Sequence, residues 1–270
     1  MICRFTSDLH LIDGYINDVK ASTITTDERA LFEEQGFLIR RAIFTGATLS
    51  SLQDDALAVA AAFDENYGRI TLLEATAAQQ SSHNLVNCLA EPELLDVSED
   101  LCGNRFRMEF PYWMNLNTPS MYWHRDLDFI PYDKVSADFN LDDWHLEVPF
   151  SQIQWNLVLI DDSLLWVVPG SHRRKPTAGE ARALGLKDYT AAMPGKVNVA
   201  LGAGDGVVFN NNILHGVRNP DNCERRTLHW CWVNAGAYNP WMNQCPPLRE
   251  EERNALHPRL VAMAAANYGG

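Results

Sequence analysis

The sequence predicts a mostly β chain: a jelly-roll core with flanking N-terminal and C-terminal helices. Two observations carry this. From residue 104 onward, short apolar runs recur between clusters of Gly, Pro, Asn and Asp, the texture of many short strands closing into a sandwich or barrel. On either side of that stretch the periodicity is helical. No internal repeat or low-complexity linker divides the 270 residues. One domain over 1–270 is therefore expected, with a helical part over about 1–100, the core over about 104–235 and a C-terminal helix over about 248–266.

Thr26 is the expected N-cap of a first helix, with Asp27 and Glu28 in its first turn and Gly36 at its end. Phe37-Leu38-Ile39 then reads as a short strand. A second helix runs from about Leu49 to Phe63, with Leu52, Ala56, Val59, Ala60 and Phe63 at helical spacing, and a further helical stretch surrounds Glu91–Leu95. Strands are expected over Arg105–Leu116, Met121–Asp126, Ile153–Ile160, Trp166–Val168, Lys196–Leu201, Val207–Phe209 and Arg226–Val233, before Glu250–Ala266 returns to helix.

Twenty-two basic against thirty-five acidic residues give a formal charge of −13, which argues against a nucleic-acid or anionic-membrane surface. A small-molecule substrate is unconstrained by that balance, since a pocket can oppose the global sign. The six cysteines contain no C-x-x-C pair and read as reduced, mostly buried thiols. No segment approaches the roughly 20 apolar residues of a membrane span, and Met1–Lys20 lacks the apolar run of a secretory signal. A cytoplasmic protein is expected; oligomeric state is left open.

The chemistry concentrates in His124-Arg125-Asp126 and His215, followed by Arg226. Residues two apart on a strand project to one side, as His124 and Asp126 must if they share an ion; Tyr122 has the same parity, and Arg125 points away. Two imidazoles and one carboxylate are the ligand set that leaves iron(II) with open positions for a co-substrate and dioxygen. An arginine beyond the last ligand is the residue type that clamps a carboxylate in bidentate fashion. Arg226 shares its face with Leu228, Trp230 and Trp232, where a guanidinium needs a carboxylate partner. A structural ion pair with a protein carboxylate is the plainer alternative, and Arg225 and Arg218 stand next in line.

The sequence resembles the phytanoyl-CoA dioxygenase family of iron(II)/2-oxoglutarate oxygenases. The resemblance is carried by Trp123-His124-Arg125-Asp126, Trp155 ahead of Asp161, Val167-Val168-Pro169-Gly170-Ser171-His172, Gly204-Asp205-Gly206-Val207, His215-Gly216 and Arg226, over roughly residues 27–233. It implies a double-stranded β-helix holding Fe(II) on His124, Asp126 and His215. Arg226 would pair with the distal carboxylate of 2-oxoglutarate, and Trp155 would line the co-substrate pocket unless it is simply a core residue. His172 reads as a structural histidine rather than a fourth ligand. The implied reaction consumes 2-oxoglutarate and O2, releases succinate and CO2, and oxidises a C–H bond of a small molecule, most simply by hydroxylation. Asp126 disfavours halogenation, for which relatives replace that carboxylate by a small residue.

Two departures stand out. Ser163-Leu164-Leu165 makes a shorter turn than the family's and lacks its glycine. Leu127–Phe150, with Phe139, Trp144, His145 and Phe150, is long enough to be a lid or binding loop. The rival readings are a non-catalytic jelly-roll binding protein, against which the full ligand set speaks, and a cupin-type metalloenzyme not using 2-oxoglutarate, which Arg226 disfavours.

Overall fold

Thr25, one residue earlier than expected, caps the first helix, α1 (Thr26–Gln35), through a capping box in which its hydroxyl accepts the Glu28 N–H and the Glu28 carboxylate accepts the Thr25 N–H. The computed structural model describes residues 23–63, 68–74, 78–102, 106–108, 113–126, 152–188, 190–219, 221, 223–234 and 248–265. The segments 1–22 and 127–150, and with them the expected lid and its aromatic residues, lie outside the described residues. Helix α1 stops at Gly36, whose φ of 87° suits glycine; a Cβ there would meet the His172 ring at 2.5 Å.

After α1 come β1 (Phe37–Arg40), α2 (Gly46–Ala62), β2 (Gly68–Thr71), α3 (Gln79–Asn87) and α4 (Pro92–Cys102). The core strands are β3 (Phe106–Met108), β4 (Trp113–Leu116), β5 (Met121–His124), β6 (Gln152–Val158) and β7 (Asp162–Val168). Helix α5 (Ala178–Leu186) precedes β8 (Val197–Leu201), β9 (Gly206–Asn210), β10 (Leu214–Val217) and β11 (Arg226–Asn234). The expected C-terminal helix is two, α6 (Glu250–Ala255) and α7 (Pro258–Ala265), because Pro258 disfavours helical backbone at the residue before it and itself starts a new helix.

The strands form two antiparallel sheets, the double-stranded β-helix. One has seven strands, ordered β1-β9-β6-β11-β4-β2, with β3 also on β11; the other is β5-β10-β7-β8. At the closed end the sheets are filled by Val158, Leu165, Val167, Val199, Leu201, Val207, Phe209 and Ile213. The outer face of the large sheet packs against the helices. There Leu157, Leu228, Trp155, Trp230 and Trp232 join Leu52 and Val59 of α2, Leu85 and Val86 of α3, and Leu94 and Val97 of α4. Each such side chain contributes about 1.5–3 kcal/mol of burial. At the β8–β9 turn Gly204 has φ 86°, and a Cβ would lie 2.0 Å from the Phe44 carbonyl oxygen, so only glycine allows that approach. No helix among the described residues is long and apolar enough to cross a membrane.

Candidate active site

The open end of the sandwich is a cleft of about 500 Å³ between the sheets. On the small sheet, β5 and β10 pair so that His124 and His215 stand directly opposite each other. Their rings lie 4.2 Å apart, and Phe209 packs 5.1 Å from the His215 ring. The Asp126 N–H donates to the Asn211 carbonyl at 3.1 Å, which brings that carboxylate round beside them.

Both histidines present the same nitrogen. The Nδ1–H of His124 donates to the Tyr122 carbonyl at 2.8 Å, and that of His215 to the Ile213 carbonyl at 2.9 Å. A carbonyl can only accept, so each Nδ1 carries a proton, and in the neutral ring the lone pair is on Nε2. Those nitrogens lie 3.7 Å and 3.6 Å from Asp126 Oδ1, and all three donor atoms lie within 4.8 Å of one another. Donors each about 2.1 Å from one ion are at most about 4.2 Å apart. Burial, then the neighbouring His215, hold the His124 imidazole well below its ordinary pKa and so keep it neutral. The donor set and geometry fit a divalent metal with open positions.

Arg125, between two of these residues, is buried and points away from the cleft. Its Nε donates to the Asn212 carbonyl at 2.9 Å, and its Nη2 to the carbonyls of Ser171 and Arg174, each at 3.1 Å. The Ser171 hydroxyl donates to the Val168 carbonyl at 2.7 Å and accepts the Leu214 N–H at 2.8 Å, tying the end of β7 to the start of β10. His172 packs on Gly36, with Nε2 3.2 Å from the Glu33 carbonyl oxygen, and is a structural contact between α1 and the turn after β7.

Facing the triad, the inner face of the large sheet carries polar side chains in hydrogen-bonded pairs. Asn211 donates to Gln152 at 2.7 Å, Cys231 to Gln154 at 3.2 Å and Asn115 to Thr227 at 3.2 Å, while His229 pairs with Asn156. Two arginines line the same cleft, Arg69 from β2 and Arg225 from the residue just before β11. Arg69 donates to Asn115 at 3.3 Å. Burial, then the charges of Arg69 and Arg225, push the His229 imidazole well below its usual range.

Two expectations need correcting. Arg226 does share a face with Leu228, Trp230 and Trp232, but that face is the outer one, packed against helices. Its guanidinium pairs with Glu224 instead of entering the cleft. Trp155, directly across from Trp230 in the register, is fully buried on that same face. Its indole N–H donates to Ser98 of α4 at 3.0 Å, and its ring stacks on Trp230 at 5.9 Å. Gln154 and Asn156 line the cleft in its place. The signal for Arg225 was present in the sequence: it has the parity of Thr227, His229 and Cys231, the polar set of that strand. For Arg69, on a four-residue strand, there was none.

A sequence profile of the phytanoyl-CoA dioxygenase family (PhyH) matches residues 32–226, well over half of the chain. The chain belongs to the phytanoyl-CoA dioxygenase family. Among solved structures it is similar to EctD from S. alaskensis with 2-oxoglutarate and 5-hydroxyectoine: 19% identity, TM-score 0.59, 86% of this chain against 84% of that one. HygX from Streptomyces hygroscopicus, with nickel and 2-oxoglutarate bound, matches at 17% identity and TM-score 0.59 over 78% of this chain and 87% of its own. The carbocyclase SnoK from nogalamycin biosynthesis matches at 18% and 0.57, over 81% and 87%. At such identities these likenesses carry the fold of a phytanoyl-CoA dioxygenase relative and no more. No protein with a curated description matches the chain.

Proposed function

We propose that this protein is an Fe(II)/2-oxoglutarate-dependent dioxygenase that oxidises a small molecule, by hydroxylation in the simplest case. The observation that carries the reading is the convergence of His124 Nε2, His215 Nε2 and Asp126 Oδ1 at the mouth of the cleft. These three would hold iron, and Arg225 rather than Arg226 would pair with the distal carboxylate of 2-oxoglutarate. Iron bound there supplies the coupling of 2-oxoglutarate decarboxylation by O2, giving succinate and CO2, to oxidation of a substrate C–H bond. The protein's own part is to orient and to exclude water. Tyr122 and Ile213 fix the two imidazoles, and Phe209 closes the apolar end behind His215. The amide wall of Gln154, Asn156 and Asn115 faces the guest with hydrogen-bonding groups. The solved structures of SnoK and of SnoN, named as a carbocyclase and an epimerase, show this architecture in proteins named for other outcomes. Product analysis therefore decides between hydroxylation and those.

The test is anaerobic reconstitution with Fe(II), then addition of 2-oxoglutarate and O2 with succinate measured. Slow succinate release without a second substrate is expected, and it should vanish in His124→Ala, Asp126→Ala and His215→Ala together with stoichiometric iron binding. Release that persists undiminished in all three variants would sink the assignment.

A further inference from the structure

The stretch expected to be a shortened turn, Ser163-Leu164-Leu165, belongs to β7, which begins at Asp162 and whose pairing with β8 slips between Asp162 and Leu165. Asp162 is buried there, its side chain 4% exposed, facing Arg225 at 5%. Each carboxylate oxygen has one donor. Oδ1 accepts the Leu164 N–H at 2.8 Å, and Oδ2 accepts the Arg225 Nε–H at 2.7 Å. On its other side Arg225 donates from Nη1 to the Thr118 hydroxyl at 2.9 Å, and its backbone N–H donates to Asn117 Oδ1 at 2.8 Å. Asn117 holds that position with φ 46°, a left-handed conformation that asparagine tolerates. Nε and one Nη1 proton are thus committed to two different parts of the fold. Arg225 and Thr118 line the cleft and Asp162 does not, so the edge between Nη1 and Nη2 is the one offered to a ligand.

We propose that Asp162 is a positioning residue for the co-substrate: by holding Nε from behind, it turns the Nη1–Nη2 edge of Arg225 toward the cleft, where a carboxylate is met in bidentate fashion. This rests on the reading of Arg225 given above. The chemistry requires a carboxylate at 162. Both of its oxygens accept, so an amide would present its NH2 to either the Leu164 N–H or the Arg225 Nε–H, and the fork would have to move. A buried guanidinium is also costly without a countercharge, so the pair is formed before any co-substrate arrives. The fork is then already ordered when the ligand binds, and less freedom is lost on association.

Titration of 2-oxoglutarate into the Mn(II)-loaded protein reads affinity without turnover. Asp162→Asn is expected to weaken 2-oxoglutarate on the order of tenfold while leaving Mn(II) affinity within twofold, and Arg225→Ala to weaken it at least as much. A folded Asp162→Asn protein with lowered thermal stability but unchanged 2-oxoglutarate affinity would overturn the proposal, leaving the assignment of Arg225 intact. Wild-type affinity in Arg225→Ala would instead remove that assignment, and this proposal with it. Should Asp162→Asn fail to fold, Asp162→Glu keeps both acceptors but displaces the fork by a methylene. A several-fold weakening there supports the positioning role, and unchanged affinity overturns it.

Discussion

The two faces of the seven-stranded sheet are both buried, yet they are built from different chemistry. Along β11 and β6 the outer face alternates Leu228, Trp230 and Trp232 with Leu157, Trp155 and Ile153, all at 1% exposure or less. The inner face, one residue out of phase, carries Thr227, His229 and Cys231 against Asn156 and Gln154. The outer set stabilises by removing apolar area from water; the inner set gives that up, pairing its polar groups so that a cleft can meet a guest. Adjacent arginines at 225 and 226 fall on opposite sides of this division, and their partners differ accordingly: buried Asp162 for one, exposed Glu224 for the other.

The largest expected effect lies on the outer face. Trp155→Ala should cost about 3–5 kcal/mol in urea unfolding, since it leaves a large cavity and removes the indole N–H that Ser98 accepts, although the Ser98 hydroxyl keeps its bond to the Leu94 carbonyl. The 2-oxoglutarate affinity of the protein that stays folded should be unchanged; a selective loss of affinity would break the division and return Trp155 to the pocket. Next, Arg225→Ala should raise the 2-oxoglutarate requirement tenfold or more, on the order of 1.5–3 kcal/mol for a charge-assisted contact, whereas Arg226→Ala should leave it within about twofold. The reverse order in steady-state titrations would reinstate Arg226.

The smallest effect concerns acid sensitivity. His229 is held neutral by burial first and by nearby cations after it. Its folded pKa lies below the unfolded value, so its stability contribution is full above about pH 6.5 and is lost as pH falls toward the folded value, where the unfolded chain takes a proton the native one refuses. His229→Asn should therefore flatten the decline of metal-free stability below pH 6.5, by up to about 1.4 kcal/mol per pH unit. Urea midpoints at pH 7 and 5.5 that fall as steeply as in wild type would show that burial does not hold His229 neutral.

Strand texture and turn residues were enough to read the jelly-roll class, because alternation and glycine-rich turns are local signals. Alternation also suggested pairing His124 with Asp126, but β5 ends at His124, and it is the Asp126 N–H bond to the Asn211 carbonyl that brings the carboxylate beside the rings. What no local pattern contains is register: that β10 sets His215 opposite His124 depends on pairing across about ninety residues. Trp155 and Arg226 were misplaced for one shared reason. Alternation separates the two faces of a strand but does not say which faces the cleft, and here both are buried. The run Leu228, Trp230, Trp232 marks the packed face, and a polar triplet at Thr227, His229 and Cys231 marks the working one. Helix α3, polar in sequence as Gln79-Gln80-Ser81-Ser82, and the four residues of β2 were missed because their order comes from tertiary packing rather than from propensity.

Arg125 gives the proposed metal site a property of its own. One guanidinium, seated between two of the proposed ligands, grips carbonyls at Asn212, Ser171 and Arg174, so the ligand strand, the approach to His215 and the turn after β7 share a single clamp. The three donors are then brought to their places when the chain folds, not when an ion arrives. Metal uptake should proceed with almost no change in heat capacity or in backbone hydrogen exchange around 121–126 and 211–217, as docking into a rigid socket rather than as coupled folding.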